Sequence, residues 1–322
     1  MDIFYPVKLF ADWLTCRIFL LSPRTLLAEA VNFFIFDTIK IFLLLAVIIF
    51  SVSIIRSFLP PEKIRKILFH KNKYIGNVLA ALFGIITPFC TCSAIPLFLG
   101  FIEAGVPLGV TFSFLVSSPM INEVALVLLL GMFGLKIALL YTASGLVIAV
   151  VSGMIIGQLK VENLVEDMTF KPSATAAIIN FKMAWPERIK YSKEYTFFVI
   201  KSVWPYIVIG IAAGAWIHGY VPSDFLAKYA GGNSWYAVPV AALIGIPLYS
   251  NAAGVIPLVS ALTEKGVSMG TTLAFMMAVT GLSLPEFMIL KKVMKVKLLV
   301  IFAGIVGSGI IFTGYLFNFI LK

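Results

Sequence analysis

Pro88-Phe-Cys-Thr-Cys-Ser-Ala-Ile-Pro96 lies in the middle of an apolar stretch, and it belongs to a segment that the chain carries twice. With a gap of two residues beyond the main match, Glu123 falls on Glu286. Duplicated membrane domains place their substrate pathway where the two copies meet, so the repeat already points to a transporter. A shift of 161 residues superimposes turn-forming and small residues of the two halves, namely Gly84 on Gly245, Pro96 on Pro257, Gly105 on Gly266, Gly109 on Gly270 and Thr111 on Thr272.

The composition is that of an integral membrane protein. Hydrophobic residues make up 61% of the 322 residues and charged residues 12%, whereas a soluble domain carries about a quarter charged residues. Several apolar runs reach the roughly 20 residues that a helix needs to cross a bilayer. The sequence therefore predicts an all-α, multi-pass protein of the cell (plasma) membrane.

The net charge of +10 does not indicate a nucleic-acid partner. The basic residues lie mainly in short connections between apolar segments, which is how membrane proteins set their orientation. We expect membrane lipid and a small-molecule substrate as partners, and no nucleic acid. The sequence leaves the oligomeric state open.

Four parts follow from the distribution of apolar and polar residues. Residues 1–30 form an N-terminal amphipathic segment on the membrane surface, 31–158 the first membrane repeat, 159–195 a cytoplasmic connector and 196–322 the second membrane repeat. Each repeat contains four apolar segments, which we name A to D and A′ to D′. They cover 31–57, 75–103, 107–133 and 136–158 in the first repeat, and 196–218, 235–263, 268–290 and 297–320 in the second.

Prolines predict that segments B and C and their counterparts are broken or re-entrant. Pro88 and Pro96 bracket the centre of B, and Pro119 lies in the centre of C. B′ and C′ carry Pro247 with Pro257, and Pro285, at similar places. Proline removes a backbone donor and clashes with the preceding turn, and broken backbone at membrane depth is tolerated only inside protein or beside a cavity.

The basic loops predict that the two repeats are inverted. The A–B connection carries six Lys or Arg residues and the A′–B′ connection one, whereas the C–D connection carries one and C′–D′ four. If basic loops stay in the cytoplasm, equivalent loops lie on opposite sides of the membrane. Inversion needs an odd number of crossings per copy, so B or C would be a re-entrant hairpin. B is the better candidate because it is about thirty residues long and bends at the loop from Pro88 to Pro96. Eight plain crossings with parallel halves are the alternative.

Cys90 and Cys92 are candidate ligands for a thiophilic substrate or metalloid. Residues two apart share a face in an extended segment, so two sulfurs can converge on one soft centre such as trivalent arsenic. The spacing matches no structural zinc motif. The alternative is that both are small buried hydrophobic residues.

Glu123 and Glu286 are candidates for proton coupling, because a carboxylate in the middle of an apolar segment is costly and marks a functional site. The alternative is that each caps the N-terminus of a half-helix. Asn122, next to Glu123, is a candidate substrate ligand. Polar residues expected to line the pathway at the same depth are Ser93, Ser117, Ser118, Tyr249, Ser250, Asn251, Thr280 and Ser283.

No enzymatic signature is present in the sequence. The chain has no phosphate-binding loop, no His-Glu-x-x-His and no Gly-x-Ser-x-Gly, and its two histidines stand alone. We therefore expect neither catalysis nor a cofactor. We also expect that this chain does not itself hydrolyse ATP to drive transport.

The motifs resemble the predicted-permease family that includes the ArsP organoarsenical efflux permeases. The resemblance rests on Gly84-Ile-Ile-Thr-Pro-Phe-Cys-Thr-Cys-Ser-Ala-Ile-Pro-Leu-Phe98, Gly105-Val-Pro-Leu-Gly109 and Ser117-Ser-Pro-Met-Ile-Asn-Glu123, and it extends over residues 31–320. It implies secondary-active export of trivalent organoarsenicals, with Cys90 and Cys92 as metalloid ligands. A permease for a small anion or sulfur compound is an alternative, as is a membrane subunit that works with a soluble partner at the connector.

Overall fold

The described part of the chain is helical. A computed structural model describes residues 4–20, 22, 25–58, 73–86, 91–103, 105–166, 184–220, 234–248, 252–291 and 293–321. These residues contain no strand beyond one isolated β-bridge, which confirms the all-α class. Their α-helices are α1 Tyr5–Trp13, α2 Leu26–Phe58, α3 Lys73–Ile86, α4 Thr91–Glu103, α5 Leu108–Met120, α6 Glu123–Gln158, α7 Trp185–Tyr220, α8 Ala237–Gly245, α9 Ala252–Glu264, α10 Met269–Gly281, α11 Leu284–Leu290 and α12 Val296–Ile320.

The helices form two compact units. The first contains α1, α2 and α7, and the second contains α3 to α6 and α8 to α12. Each sequence copy therefore gives its first long helix to the first unit and its remaining helices to the second. Helices α2 and α7 begin 5 and 11 residues before the predicted segments A and A′, because an apolar run marks what can lie in lipid and not where a helix begins.

In the first unit, polar contacts join α1 to α2. The Asn32 Nδ2 group donates a hydrogen bond of 2.8 Å to Asp12 Oδ1. The Lys40 ammonium lies 5.3 Å from the ring centroid of Phe36 and 5.7 Å from that of Phe4, where the ring faces attract a cation. Asp12 and Lys40 thus both have partners in the same unit.

In the second unit, the helix pattern of the first copy recurs at the shift of 161 residues. Helices α4 and α9 both contain 13 residues and begin 161 residues apart, and so do α5 and α10. Helices α6 and α11 also begin 161 residues apart. A kink at Gly134, with φ of 83°, divides α6 where the second copy has the gap between α11 and α12.

Glycine turns end α4 and α9, where the motif Glu-x-Gly-Val in both copies predicts that a helix ends. Gly105 and Gly266 have φ of 73° and 82°, a backbone region that glycine enters without steric cost. The amide of Gly105 donates to the carbonyl of Ile102, and that of Val106 to the carbonyl of Phe101, both at 2.9 Å. The corresponding residues after α9 make the same pair of bonds at 3.0 and 3.1 Å. These are Schellman caps in both copies.

The predicted breaks are present in C, C′ and B′. Helix α5 ends one residue after Pro119, and Ile121 and Asn122 separate it from α6. In C′, two residues separate α10 from α11, which carries Pro285 in its first turn where no backbone donor is needed. Helix α8 ends at Gly245, inside B′. The predicted break in B falls at 87–90, outside the described residues.

The two copies touch through residues that are equivalent in the repeat. A Cβ built on Gly281 would lie 2.8 Å from Met120 Cε, and one built on Gly309 would lie 3.3 Å from Ile148 Cγ1. Met120 and Gly281 are 161 residues apart, and so are Ile148 and Gly309. Inside the second unit, the two copies therefore contact each other through residues at the same positions of the repeat.

Helices α6 and α12 pack against each other in opposite directions. After α6, the amide of Glu166 donates to the carbonyl of Val293 at 2.7 Å, and the amide of Lys295 donates to the carbonyl of Leu164 at 2.8 Å. The end of α6 thus lies beside the beginning of α12. Together with the contact at the middle of both helices, this makes the pair antiparallel.

Apolar stretches long enough to cross a bilayer occur in both units. Among the described residues, four stretches satisfy length and composition for a span. They are Leu26–Ser51 in α2, Ala125–Gln158 in α6, Met269–Leu290 across α10 and α11, and Val296–Ile320 in α12.

Candidate functional site

The two breaks of the second copy lie against each other. The amide of Leu284, the first residue of α11, donates to the carbonyl of Ile246 at 2.8 Å, just after the end of α8. This bond satisfies one donor that the start of α11 would otherwise leave open. The predicted site residues Tyr249, Ser250 and Asn251 follow Ile246 closely in sequence, but they lie outside the described residues and stay predictions.

Asn122 caps the N-terminus of α6, the helix that follows the break of C in the first copy. Its backbone is extended, with φ of −115° and ψ of 159°, and its Oδ1 accepts a 2.7 Å hydrogen bond from the amide of Ala125. Asparagine is among the best residues at this N-cap position. Ser283 is extended at the equivalent position but makes no side-chain cap bond. The cap in the first copy is thus Asn122 and not Glu123.

The two candidate carboxylates occupy different positions in their helices. Glu123 is the first residue of α6 and is exposed, whereas Glu286 is the third residue of α11 and is 1% exposed. Because both helices begin at the same repeat position, Glu123 is equivalent to Leu284, and the two-residue gap that aligned the two glutamates was wrong. First and third residues point about 200° apart around a helix axis, which explains why only Glu286 faces the protein interior.

A buried tyrosine binds the end of α5 at the break of C. Tyr141 of α6 is 1% exposed, and its hydroxyl donates a 3.1 Å hydrogen bond to the carbonyl of Met120, the last residue of α5. The hydroxyl of Thr280, in the last turn of α10, donates to the carbonyl of Met276 in its own helix at 3.0 Å. The Tyr141 hydroxyl thus supplies a partner for a carbonyl at the end of α5.

Two serines lie in the last turns of α5, before its break. Ser117 and Ser118 are both fully buried. The Ser117 hydroxyl donates to the carbonyl of Phe114 at 3.2 Å, and it occupies the space beside Gly84, where a Cβ would lie 2.0 Å from its Oγ. The Ser117 hydroxyl is therefore hydrogen-bonded within its own helix, and the side chain packs on α3. Ser118 is buried beside it, and its role as a substrate ligand stays a prediction.

The structure describes only part of the cysteine motif. Cys92 and Ser93 are the second and third residues of α4, so their backbone is helical, and Cys90 lies outside the described residues. The convergence of the two sulfurs on one soft centre stays a prediction. Within the described ranges, no three His, Cys, Asp or Glu side chains come together as a metal site. Cys16, outside the repeat, is a free and exposed thiol.

Tyr141 is the residue of this junction that the sequence reading missed. It lies in an apolar segment, where a single aromatic residue is normally read as core or lipid-facing. The signal that could have revealed it is the comparison of the copies, since the equivalent residue 161 positions later is Phe302. A hydroxyl that only one copy keeps, deep in an apolar helix, indicates a specific partner.

Comparison with known proteins identifies the family. A family model described as a predicted permease, ArsP_1, matches residues 26–319, which is most of the chain. The chain belongs to this permease family. This confirms the resemblance seen in its motifs, and with the apolar helices it makes the permease a multi-pass membrane protein. No solved structure matches the permease.

Relatives from several organisms cover most of the permease. It is 24% identical over 305 residues to a UPF0718 protein of Methanocaldococcus jannaschii, covering 78% of this chain and 84% of that protein. It is 24% identical over 269 residues to the UPF0718 protein YraQ of Escherichia coli, covering 81% and 73%. A Streptococcus mutans protein, 27% identical over 255 residues and covering 78% and 82%, is provisionally named a subunit of a two-component membrane permease complex.

Proposed function

We propose that this permease exports a small thiophilic substrate, in the first place a trivalent organoarsenical, by secondary-active alternating access. The observation that carries the proposal is the junction of the two copies, where Met120 touches Gly281 and both residues end a helix at a break. Discontinuous helices whose breaks meet between two repeats form the substrate sites of many secondary transporters.

We propose further that the two repeats are inverted in the membrane. The antiparallel packing of α6 and α12 supports this, because a two-fold axis between two antiparallel membrane-crossing helices lies in the membrane plane. The opposite charge bias of equivalent loops supports it independently. Labelling of the equivalent residues Lys136 and Lys297, near the kink of α6 and the start of α12, with a membrane-impermeant amine reagent tests it. Inverted copies place these two lysines on opposite sides, and parallel copies on the same side.

The substrate class follows from the thiols of the first copy. A monosubstituted trivalent arsenical has two exchangeable ligands, which two thiolates can replace, and soft thiolates prefer soft centres. Cys90 and Cys92 supply two thiols, and Ser93 follows them in the sequence. The family resemblance supports the same cargo. Asn122, Ser118, Tyr249, Ser250 and Asn251 complete the proposed polar lining.

The coupling site of the proposal is centred on Glu286. A buried carboxylate in a membrane segment is suited to bind and release a proton, and Glu286 is 1% exposed whereas Glu123 is exposed. We expect Glu286→Gln to abolish transport driven by a pH gradient in proteoliposomes while leaving substrate binding intact. Glu123→Gln is the matched comparison and should cause the smaller loss. Full pH-driven transport by Glu286→Gln would remove this residue from the coupling step.

Binding of a trivalent phenylarsenical to the purified permease tests the substrate class. We expect stoichiometric binding that is lost in the Cys90→Ser/Cys92→Ser variant and kept in Cys16→Ser, since Cys16 is exposed and lies outside the repeat. The Cys16 variant controls for unspecific thiol capture. Transport that survives the double substitution would favour the alternative cargo, a small anion or sulfur compound.

A second candidate function is that of a membrane subunit in a permease complex, which the name of the Streptococcus mutans relative favours. The connector that would receive a soluble partner begins beside the loop before α12, through the bonds of Leu164 and Glu166. Shortening the connector between residues 167 and 183 separates the two functions. Transport by the isolated shortened chain supports a self-sufficient permease, and its complete loss supports the complex.

A further inference from the structure

Inside the second unit, helices of opposite copies are packed together at several levels. A Cβ built on Gly281 would lie 3.9 Å from Met120 Cβ, and one built on Gly309 would lie 3.8 Å from Ile148 Cβ. Met120 is fully buried and Ile148 is 5% exposed, so both contacts belong to the packed interior. The first contact joins the ends of α5 and α10, and the second joins the middle of α6 to the middle of α12.

A backbone link holds α6 and α12 together at a further level. The antiparallel β-bridge between Val165 and Met294 ties the residues after α6 to those before α12 through two hydrogen bonds of 2.7 and 2.8 Å. The Lys295 ammonium donates a third bond, of 3.2 Å, to the carbonyl of Asn163. Gly309 lies 13 residues after the start of α12, about 20 Å along the helix. The two copies are therefore joined at points far apart along this helix pair.

Side chains and whole helices of the two copies also pack across their boundary. The ring of Phe112 in α5 lies 5.7 Å from that of Phe302 in α12, between the centroids, and both rings are fully buried. Helix α4 of the first copy packs on α11 of the second, and α9 of the second packs on α6 of the first. Interiors packed in this way resist deformation, so their helices move together.

The two compact units do not correspond to the two copies. The first unit contains the first long helix of each copy, α2 and α7, and the second contains the later helices of both. Alternating access needs two parts that move against each other, and these can be the two copies or the two units. Separating the copies would break the packing inside the second unit, whereas movement of one unit against the other leaves that packing intact.

We propose that the second unit moves as one body, with its two copies locked together, against α2 and α7 of the first unit. The proposal rests on the alternating access proposed above, and it names the parts that move. Cys92 and Glu286 both belong to the second unit. The thiol helix and the coupling carboxylate would therefore travel together, and the rigid-body movement would change the side of the membrane that they face.

Distances between pairs of spin labels test this division. The labels are attached to a ketone-bearing amino acid at positions 47, 147 and 300, so that the native thiols stay unmodified. Val47, Val147 and Val300 are 63%, 60% and 64% exposed. The within-unit pair, 147 with 300, joins α6 to α12, and the between-unit pair, 47 with 300, joins α2 to α12. Both pairs connect the first copy to the second, so they differ in whether they cross from one unit to the other.

The measurement is double electron–electron resonance on the full chain in lipid nanodiscs. We expect one distance for the within-unit pair, unchanged by pH or by a trivalent phenylarsenical. The between-unit pair should give two distances whose populations shift with both. A second distance for the within-unit pair would show that the copies separate and would overturn the proposal. A single constant distance for both pairs would also overturn it, because the second unit would then not move against the first.

A disulfide between the copies provides the complementary test. Ile148→Cys/Gly309→Cys is suitable because the Cβ separation of 3.8 Å matches that of disulfides, about 3.8 Å. With the three native cysteines replaced by serine and pH as the trigger, the oxidised variant should switch between both between-unit distances as its reduced form does. Loss of one distance on oxidation, restored by reduction, would show that the copies must separate. A permease that moves no arsenical would instead refute the proposed function, and the distances at different pH would still decide which parts move.

Discussion

Replacing Gly109 or Gly270 by alanine should force apart the helix pairs on which the two copies are built. Helix α5 meets α6 at Gly109, where a Cβ would lie 2.4 Å from the carbonyl oxygen of Gly153. Helix α10 meets α12 at Gly270, where the distance to the carbonyl oxygen of Gly314 would be 2.3 Å. Both obstacles are backbone atoms, which cannot rotate away as a side chain can.

The cost follows from these distances. Ordinary Cβ contacts begin at 3.4 Å, so each helix pair would have to separate by about 1 Å, and a gap of that size removes about a quarter to a half of the dispersion energy between the facing atoms. Overpacking of this kind costs about 1–3 kcal/mol. Since the geometry is the same at Gly109 and Gly270, we expect losses of similar size in the two copies.

Unfolding of the purified permease in mixed micelles measures the effect, with Gly131→Ala and Gly304→Ala as matched controls. These two glycines lie in α6 and α12, the helices against which Gly109 and Gly270 pack, and a Cβ there would meet no atom within 4 Å. Alanine at these positions should leave the free energy of unfolding of the permease unchanged or raise it by up to about 1 kcal/mol. If all four variants shift the unfolding midpoint equally, the close helix packing inferred for Gly109 and Gly270 is refuted.

Two other predictions concern hydrogen bonds in the second unit. Asn122→Ala should lower the free energy of unfolding by about 1 kcal/mol. Ser283→Ala should change it little, because Ser283 has no side-chain cap bond to lose. Equal losses for the two variants in the same unfolding assay would contradict the role of Asn122 as the cap. Asn77→Ala and Ser113→Ala each break the buried 2.8 Å bond from the Ser113 hydroxyl to Asn77 Oδ1. Each should cost about 0.6 kcal/mol, and a double variant whose loss equals the sum would show that the bond does not stabilise the permease.

The sequence predicts correctly what local chemistry determines. Gly105 and Gly266 end helices because their positive φ suits glycine, and the turns have the same bonds in both copies. Pro119 and Pro285 stand at the breaks of C and C′ because proline cannot continue a helix but is tolerated in a first turn. These predictions need no knowledge of the tertiary contacts.

The sequence does not predict which residues are equivalent or buried where this depends on the register of the helices in three dimensions. The two glutamates match by residue type, so a two-residue gap aligned them, but the start of each helix fixes Glu123 and Glu286 at different positions. The burial of Glu286 and the exposure of Glu123 follow from that register. The division into two units also depends on tertiary packing, since it separates α2 and α7 from the rest of their own copies.

The divergence of the copies has a physical reason under the proposed transport. A junction with two identical halves would offer a substrate two equivalent orientations, and its two end states would have equal energy. The permease instead keeps hydrogen-bonding groups in the first copy where the second has apolar or uncapped positions, and it keeps its buried carboxylate in the second copy. Duplication thus supplies two similar halves, and divergence makes the two states chemically different, as directional coupling to protons requires. The pairs that show this are Asn77 with Val238, Asn122 with Ser283, Tyr141 with Phe302, and Ala125 with Glu286.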